Sequence, residues 1–109
     1  MTPEQKFSKE FKAAALRQCP TSAMITRIES SLTCPGLPDW LIILPGGTHI
    51  WVELKVAPNG LLPAQRAVLR RLHNLNVNQF VLKKYANYVM LEDIRFETLD
   101  EAVRALIGE

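Results

Sequence analysis

At 109 residues, 48% of them apolar and 22% charged, the chain has room for one hydrophobic core and enough apolar side chains to fill it. That composition excludes intrinsic disorder, collagen-like repeats and coiled coils, and the longest apolar run, Trp40 to Leu44, falls far short of the roughly 20 residues a membrane-spanning helix requires. Thirteen Lys and Arg against eleven Asp and Glu leave a net charge of +2, which neither demands nor forbids a nucleic-acid partner.

The opening residues, Met1-Thr2-Pro3-Glu4-Gln5, lack the basic cluster and apolar stretch of an export signal, so a cytoplasmic location is expected. Cys19 and Cys34 have neither metal-ligand spacing nor the density of a disulfide scaffold. Both are expected to be buried or idle, and zinc is not expected.

Thr2, Pro3 and Gln5 read as an N-cap, a first-turn proline and a capping box. With Phe7, Phe11, Ala14 and Ala15 at helical spacing, they predict a helix over residues 3–18, ended by Pro20-Thr21-Ser22. Ala23 to Glu29 alternates, Met24, Thr26 and Ile28 on one face and Ile25, Arg27 and Glu29 on the other, and predicts a strand. Ser30 to Pro38, rich in proline and serine, is a loop that delivers Asp39 to a strand start. Asp39–Leu44 and Thr48–Lys55 flank Pro45-Gly46-Gly47 and predict an antiparallel hairpin. Leu61, Ala64, Val68, Leu72 and Leu75 form a helical stripe after Asn59-Gly60, and Phe80–Lys83 and Tyr88–Leu91 read as short strands. Thr98 with Glu101 opens a C-terminal helix whose stripe is Leu99, Val103 and Leu106. The expected fold class is α/β: helix, three strands, helix, one or two strands, helix, built as one domain around a mixed sheet.

Chemistry concentrates on the strand Thr48–Lys55. Ile50, Val52 and Leu54 take one face, leaving His49, Trp51, Glu53 and Lys55 on the other. Glu53 and Lys55 have α-carbons roughly 6.5 Å apart, so their side chains can converge on one ion or water; an exposed charge pair is the bland alternative. Two features favour the former. Both hairpin strands are apolar on both faces (Trp40, Ile42 and Leu44 against Leu41 and Ile43), which marks them as central strands whose terminal charges line a cleft. If Pro45-Gly46-Gly47 is the whole connection, Leu44 lies opposite Thr48 and Asp39 opposite Glu53, with β-carbons roughly 5 Å apart. A two-residue turn would instead send the two carboxylates to opposite faces, unless Asp39 bends off the strand end. Carboxylates held that close repel unless a divalent cation sits between them, and oxygen ligands suit magnesium or manganese. Gln65 falls within about 40° of the stripe of Leu61, Val68 and Leu72, so its amide faces the sheet and needs partners there. His49 and His73 are read as structural or surface residues.

Gly36-Leu37-Pro38-Asp39, then Glu53-Leu54-Lys55, then a leucine-rich approach to Gln65, together resemble the PD-(D/E)XK nuclease superfamily, and within it the VRR-NUC branch with its small stand-alone phage and bacterial forms. The resemblance spans residues 3–84, leaving 85–109 as a C-terminal extension with an extra helix. It implies a restriction-endonuclease-like core and a magnesium- or manganese-dependent endonuclease that hydrolyses DNA phosphodiester bonds. Asp39 and Glu53 would ligate the metal, Lys55 would position the attacking water and offset charge in the transition state, and Gln65 would support the site. A further carboxylate is expected from the N-terminal region: Glu10 is favoured, with Glu4 and Glu29 as alternatives.

Arg66, Arg70, Arg71, Lys83 and Lys84 are candidates for DNA phosphate contacts, although a solvated helix face explains the same arginines. Without an aromatic stacking ladder or a helix-turn-helix, structure selection is expected over base readout. Stand-alone relatives are similar to Holliday junction resolvases, which implies branched DNA as substrate, a homodimer for paired cleavage, no membrane partner, and a bacterial or phage-infected cytoplasm. Two other readings compete. A non-catalytic nucleic-acid-binding or scaffold module on the same fold is opposed by the joint presence of Asp39, Glu53, Lys55 and Gln65. An unrelated small α/β interaction domain would need chance to supply both the order of elements and the polar set.

Overall fold

The computed structural model describes residues 1–28 and 35–108, so Glu29 and Cys34 lie outside the described residues. Helix α1 (Pro3–Gln18) begins at the expected capping box: Gln5 N donates to Thr2 Oγ1 at 3.1 Å and Thr2 N to Gln5 Oε1 at 2.9 Å. It buries Phe7, Phe11, Ala14 and Ala15. Strands β1 (Met24–Arg27), β2 (Trp40–Ile43) and β3 (His49–Val56) follow as an antiparallel meander. Helix α2 (Pro63–Asn74) then crosses over to β4 (Asn78–Lys84), which runs parallel to β3. Strands β5 (Val89–Leu91) and β6 (Ile94–Phe96) extend the sheet antiparallel, and α3 (Leu99–Leu106) ends the described chain. The six strands lie in sequence order in one mixed sheet. No helix among the described residues is long and apolar enough to cross a membrane.

One face of the sheet carries the core. Trp40, Ile42, Ile50, Val52, Leu54, Leu82, Val89 and Leu91 pack there under Phe7 and Phe11 of α1 and Ala102, Val103 and Leu106 of α3. Trp40 and Phe11 meet ring to ring, with centroids 5.6 Å apart. Arg17 clamps the two helices together at the surface by donating to both carboxylate oxygens of Asp100. The opposite face is more thinly covered. Leu69 is the buried residue of α2 and lies outside the main core, so α2 covers that second face over β4 and leaves Leu41 and Ile43 of β2 half-buried.

Two expectations need correction. The stripe on α2 is shifted: Ala64 and Leu75 are exposed, and the covered arc runs through Gln65, Val68, Leu69 and Leu72. Leu75 follows the last helical residue, so helical phase no longer governs where it points. The C-terminal part also holds β6, which makes three strands after α2 where one or two were expected. Its turn, Glu92–Asp93, has Glu92 at φ 55° in place of the glycine that usually announces such a turn. Tertiary contacts hold Glu92 there, since its Oε1 accepts from Val81 N at 3.0 Å and its own N–H donates to Val81 O at 2.9 Å.

Candidate active site

The register that decides the site comes from the glycines of the β2–β3 turn. Gly46 and Gly47 sit at φ 96° and 92°, a backbone region costly for side-chain-bearing residues, and close a three-residue connection. Leu44 N donates to Thr48 O at 2.9 Å, and Trp40 pairs with Val52, Ile42 with Ile50 and Ile43 with His49. One residue beyond the ladder, Asp39 arrives beside Glu53, as the three-residue turn predicts.

Asp39 is held from three directions. Its N–H donates to Glu53 Oε2 at 3.1 Å, its Oδ2 accepts from Leu54 N at 2.9 Å, and its carbonyl accepts from Ile28 N at 2.6 Å. The approach to it is fixed as well. Gly36 has φ 90° and packs so tightly on the first turn of α2 that an added Cβ would lie 2.5 Å from the Ala64 carbonyl oxygen.

Glu53 is 1% exposed. Its Oε2 takes the Asp39 N–H, while Oε1 is buried with no hydrogen-bond partner among the described residues. Burial, followed by the adjacent Asp39 charge, pushes its pKa up to about 8, with Lys55 opposing in part. A buried carboxylate oxygen without a donor is costly and expects a partner. Lys55 shares the Glu53 face of β3, is half-buried, and lies beside Lys83 in the parallel register.

Gln65 sits on the covered arc of α2. Its Oε1 accepts from Leu62 N at 2.9 Å and so closes the first turn of the helix, which leaves its Nε2 donors as the part able to serve a site. Glu10 is not brought to the Asp39–Glu53 pair. Its Oε1 accepts from Lys84 Nζ at 2.7 Å, and both residues line a separate hollow of about 260 Å³ with Tyr85 and Tyr88. Glu4 instead lines a cavity of about 60 Å³ with Phe7, Ser8, Arg27, Asp39, Leu54 and Val56, and accepts from Asn59 Nδ2 at 3.0 Å. Both glutamates lie on α1, about one and two-thirds turns apart and flanking the Phe7 and Phe11 stripe, so helical spacing could not choose between them.

The basic residues disperse. Arg66 and Arg70 line an open hollow of about 310 Å³ on α2, Arg71 is exposed on the same helix, and Lys84 is committed to Glu10. Lys83 lies over the Tyr85 ring, which stacks on Tyr88 at 4.8 Å between centroids, and Arg95 caps Tyr88 at 4.1 Å. This cation–aromatic stack was missed in the sequence. Its signal was present, since Tyr85 and Tyr88 are the first and last residues of a four-residue turn, joined by Tyr85 N to Tyr88 O at 2.9 Å. His49 has Nδ1 2.6 Å from Gly47 O and His73 is exposed, which leaves both outside the site. Cys19 is buried.

No group of three or more His, Cys, Asp and Glu able to hold a metal occurs among the described residues. The Asp39–Glu53 pair nevertheless suits magnesium or manganese. Such ions bind through one or two carboxylates and keep water and substrate phosphate as their other ligands. The unpartnered Glu53 Oε1 is the oxygen such an ion would satisfy.

No protein-family model matches the chain, and no curated protein matches it. Among solved structures it is similar to one described as a VRR_NUC domain, with a TM-score of 0.68 at 23% sequence identity, over 98% of this chain and 96% of that chain. The chain therefore has the α/β fold of that domain. The sequence resemblance carried by Asp39, Glu53 and Lys55 implies the same fold.

Proposed function

We propose that this chain is a member of the VRR-NUC branch and a metal-dependent nuclease that hydrolyses DNA phosphodiester bonds at Asp39, Glu53 and Lys55. The observation that carries this reading is the buried Glu53 carboxylate, which has one oxygen on the Asp39 backbone, the other without a donor among the described residues, and a second carboxylate beside it. Nothing in the hydrophobic core requires a carboxylate at that position.

Asp39 and Glu53 would hold magnesium or manganese, which when bound acidifies its water and polarises a phosphoryl oxygen. The residues supply the rest. The Asp39 backbone N–H and the Leu54 N–H fix the two carboxylates, so little reorganisation is needed as charge develops. Lys55, on the Glu53 face, orients the attacking water and offsets negative charge on the phosphoryl oxygens. Gln65 Nε2 supports this arrangement from the first turn of α2. Glu4, which lines the cavity at Asp39, is the better candidate than Glu10 for an additional orienting carboxylate.

The same reading takes branched DNA, of the Holliday junction kind, as the substrate and a homodimer as the working unit, since paired cuts need two sites. Met24 at 55% exposure and the half-buried Leu41, Ile43 and Trp51, all on the sheet face that α2 leaves open, are the apolar surface that supports a second copy. The test is incubation of the purified protein with a labelled four-way junction and a matching linear duplex, in magnesium, manganese or EDTA, alongside Glu53→Ala and Lys55→Ala. Metal-dependent paired nicks confined to the junction and lost in both variants are expected. Cleavage of every DNA would keep the nuclease and remove the junction preference. Binding without cleavage in either metal would overturn the enzyme and leave the non-catalytic module.

A further inference from the structure

A second hollow, of about 250 Å³, lies between α1 and the β1–β2 edge and is lined by Gln5, Ser8, Lys9, Lys12, Arg27 and Trp40. Its composition is one-sided, with three cations and no carboxylate. Residues 5, 8, 9 and 12 recur at helical spacing, so they form one polar stripe along α1. Arg27 is the register partner of Trp40 across β1 and β2, which puts the two on the same face of the sheet. The cations Lys9, Lys12 and Arg27 make no ion pair among the described residues. Gln5 has its Oε1 occupied by the Thr2 N–H, so its remaining polar capacity is to donate.

Trp40 supplies an independent observation. It is 4% exposed, and its indole Nε1 is buried with no hydrogen-bond partner among the described residues. An indole N–H can only donate, and a buried donor without an acceptor is uncommon in folded proteins. Three cations without an ion pair among the described residues and a hydroxyl line one hollow, and the indole whose N–H lacks an acceptor there forms part of its wall; such a lining suits an oxyanion, whose oxygens accept charge-assisted hydrogen bonds from the cations.

The hollow also adjoins the small cavity at Asp39. Ser8 and Arg27 line both it and the small cavity at Asp39. Side by side are thus a small cavity lined by the carboxylates of Glu4 and Asp39 and a hollow lined by cations. A nucleic-acid strand suits both, with one phosphate at the Asp39 end of the proposed active site and a neighbouring phosphate in the hollow.

We propose that the hollow formed by Ser8, Lys9, Lys12, Arg27 and Trp40 is a phosphate-binding site that holds the substrate strand beside the diester to be cut. The choice of a nucleic-acid strand rests on the nuclease reading, whereas the oxyanion site stands on its own residues. The phosphate is either an internal diester or a terminal monoester, and the two differ in charge and number of free oxygens.

The chain has two tryptophans, so its ¹⁵N-labelled protein gives two indole signals, assigned with Trp51→Phe. They are followed in EDTA at constant ionic strength during titration with methyl phosphate, dimethyl phosphate or sodium chloride. The Trp40 signal is expected to shift saturably with at least one ester and the Trp51 signal to stay in place. Tighter binding of methyl phosphate assigns a strand end, and tighter binding of dimethyl phosphate an internal linkage. Lys12→Gln combined with Arg27→Gln is expected to weaken that binding at least tenfold, while Arg104→Gln in the last turn of α3 leaves it unchanged; an undisturbed Trp51 signal shows that the variants remain folded. A Trp40 signal that follows chloride equally, does not saturate, or is unaffected by the double variant overturns the proposal. Because EDTA removes metal and no bond is cut, phosphate binding without nuclease activity would refute only the catalytic reading, and the converse would refute only this one.

Discussion

Glu53 makes the metal-free protein sensitive to pH in a direction that can be calculated. Its carboxyl is held up at about 8 against an ordinary 4.5, so the native state keeps a proton that the unfolded chain has already lost between those values. Proton binding is then greater in the native state, and stability falls as pH rises through that window. The full difference corresponds to about 5 kcal/mol, and the part lying between pH 6 and pH 9 to about 3 kcal/mol. That is a large share of the marginal stability of a small domain. The assay is urea unfolding in EDTA across pH 6 to 9, for the wild type and for Glu53→Gln, which keeps the shape without the charge. The stability difference between them should grow with pH in favour of the variant by about 3 kcal/mol, a comparison that cancels the titrating groups remote from Glu53. Magnesium should close part of the gap at pH 8 in the wild type and do nothing for the variant. A difference that stays constant across pH 6 to 9 would refute the buried, donor-poor environment on which the site assignment depends.

Gly36→Ala should destabilise the fold by about 1–3 kcal/mol in the same unfolding assay and also slow cleavage, because both the left-handed backbone and the contact with Ala64 resist a methyl group. A neutral result would mean that the approach to Asp39 adapts freely. Glu10→Gln removes a partly exposed ion pair and should cost less than about 1 kcal/mol with cleavage retained, whereas Glu4→Gln should reduce cleavage. The opposite pattern in the junction assay would restore Glu10 to the site.

Much of this protein was legible because its signals are local. The box of Thr2 and Gln5 set the start of α1, and the glycine pair at 46 and 47 set the length of the β2–β3 turn, from which the register at Asp39 and Glu53 followed. Strand alternation likewise separated Val52 and Leu54 from Glu53 and Lys55. Where local signals were silent, long-range contacts decided. Glu92 occupies a turn position that suits glycine because Val81 on another strand holds it from both sides. The phase of α2 was settled by how it lies on β4, which buried Leu69 and left Ala64 and Leu75 in solvent.

The site divides in the same way. Composition and spacing selected the carboxylate pair and its lysine, since both depend only on the period of a strand and the length of one turn. That Glu4, and not Glu10, lines the cavity at Asp39 depended on how α1 is rotated and tilted over the sheet, and the pairing of Glu10 with Lys84 is a contact across 74 residues of chain. The cationic hollow needed α1, β1 and β2 together, because Lys9, Lys12, Arg27 and Trp40 are scattered in the sequence and meet only when the helix lies along the sheet edge. Periodicity within one element is written in adjacent residues, whereas convergence between elements is set by packing of the whole core.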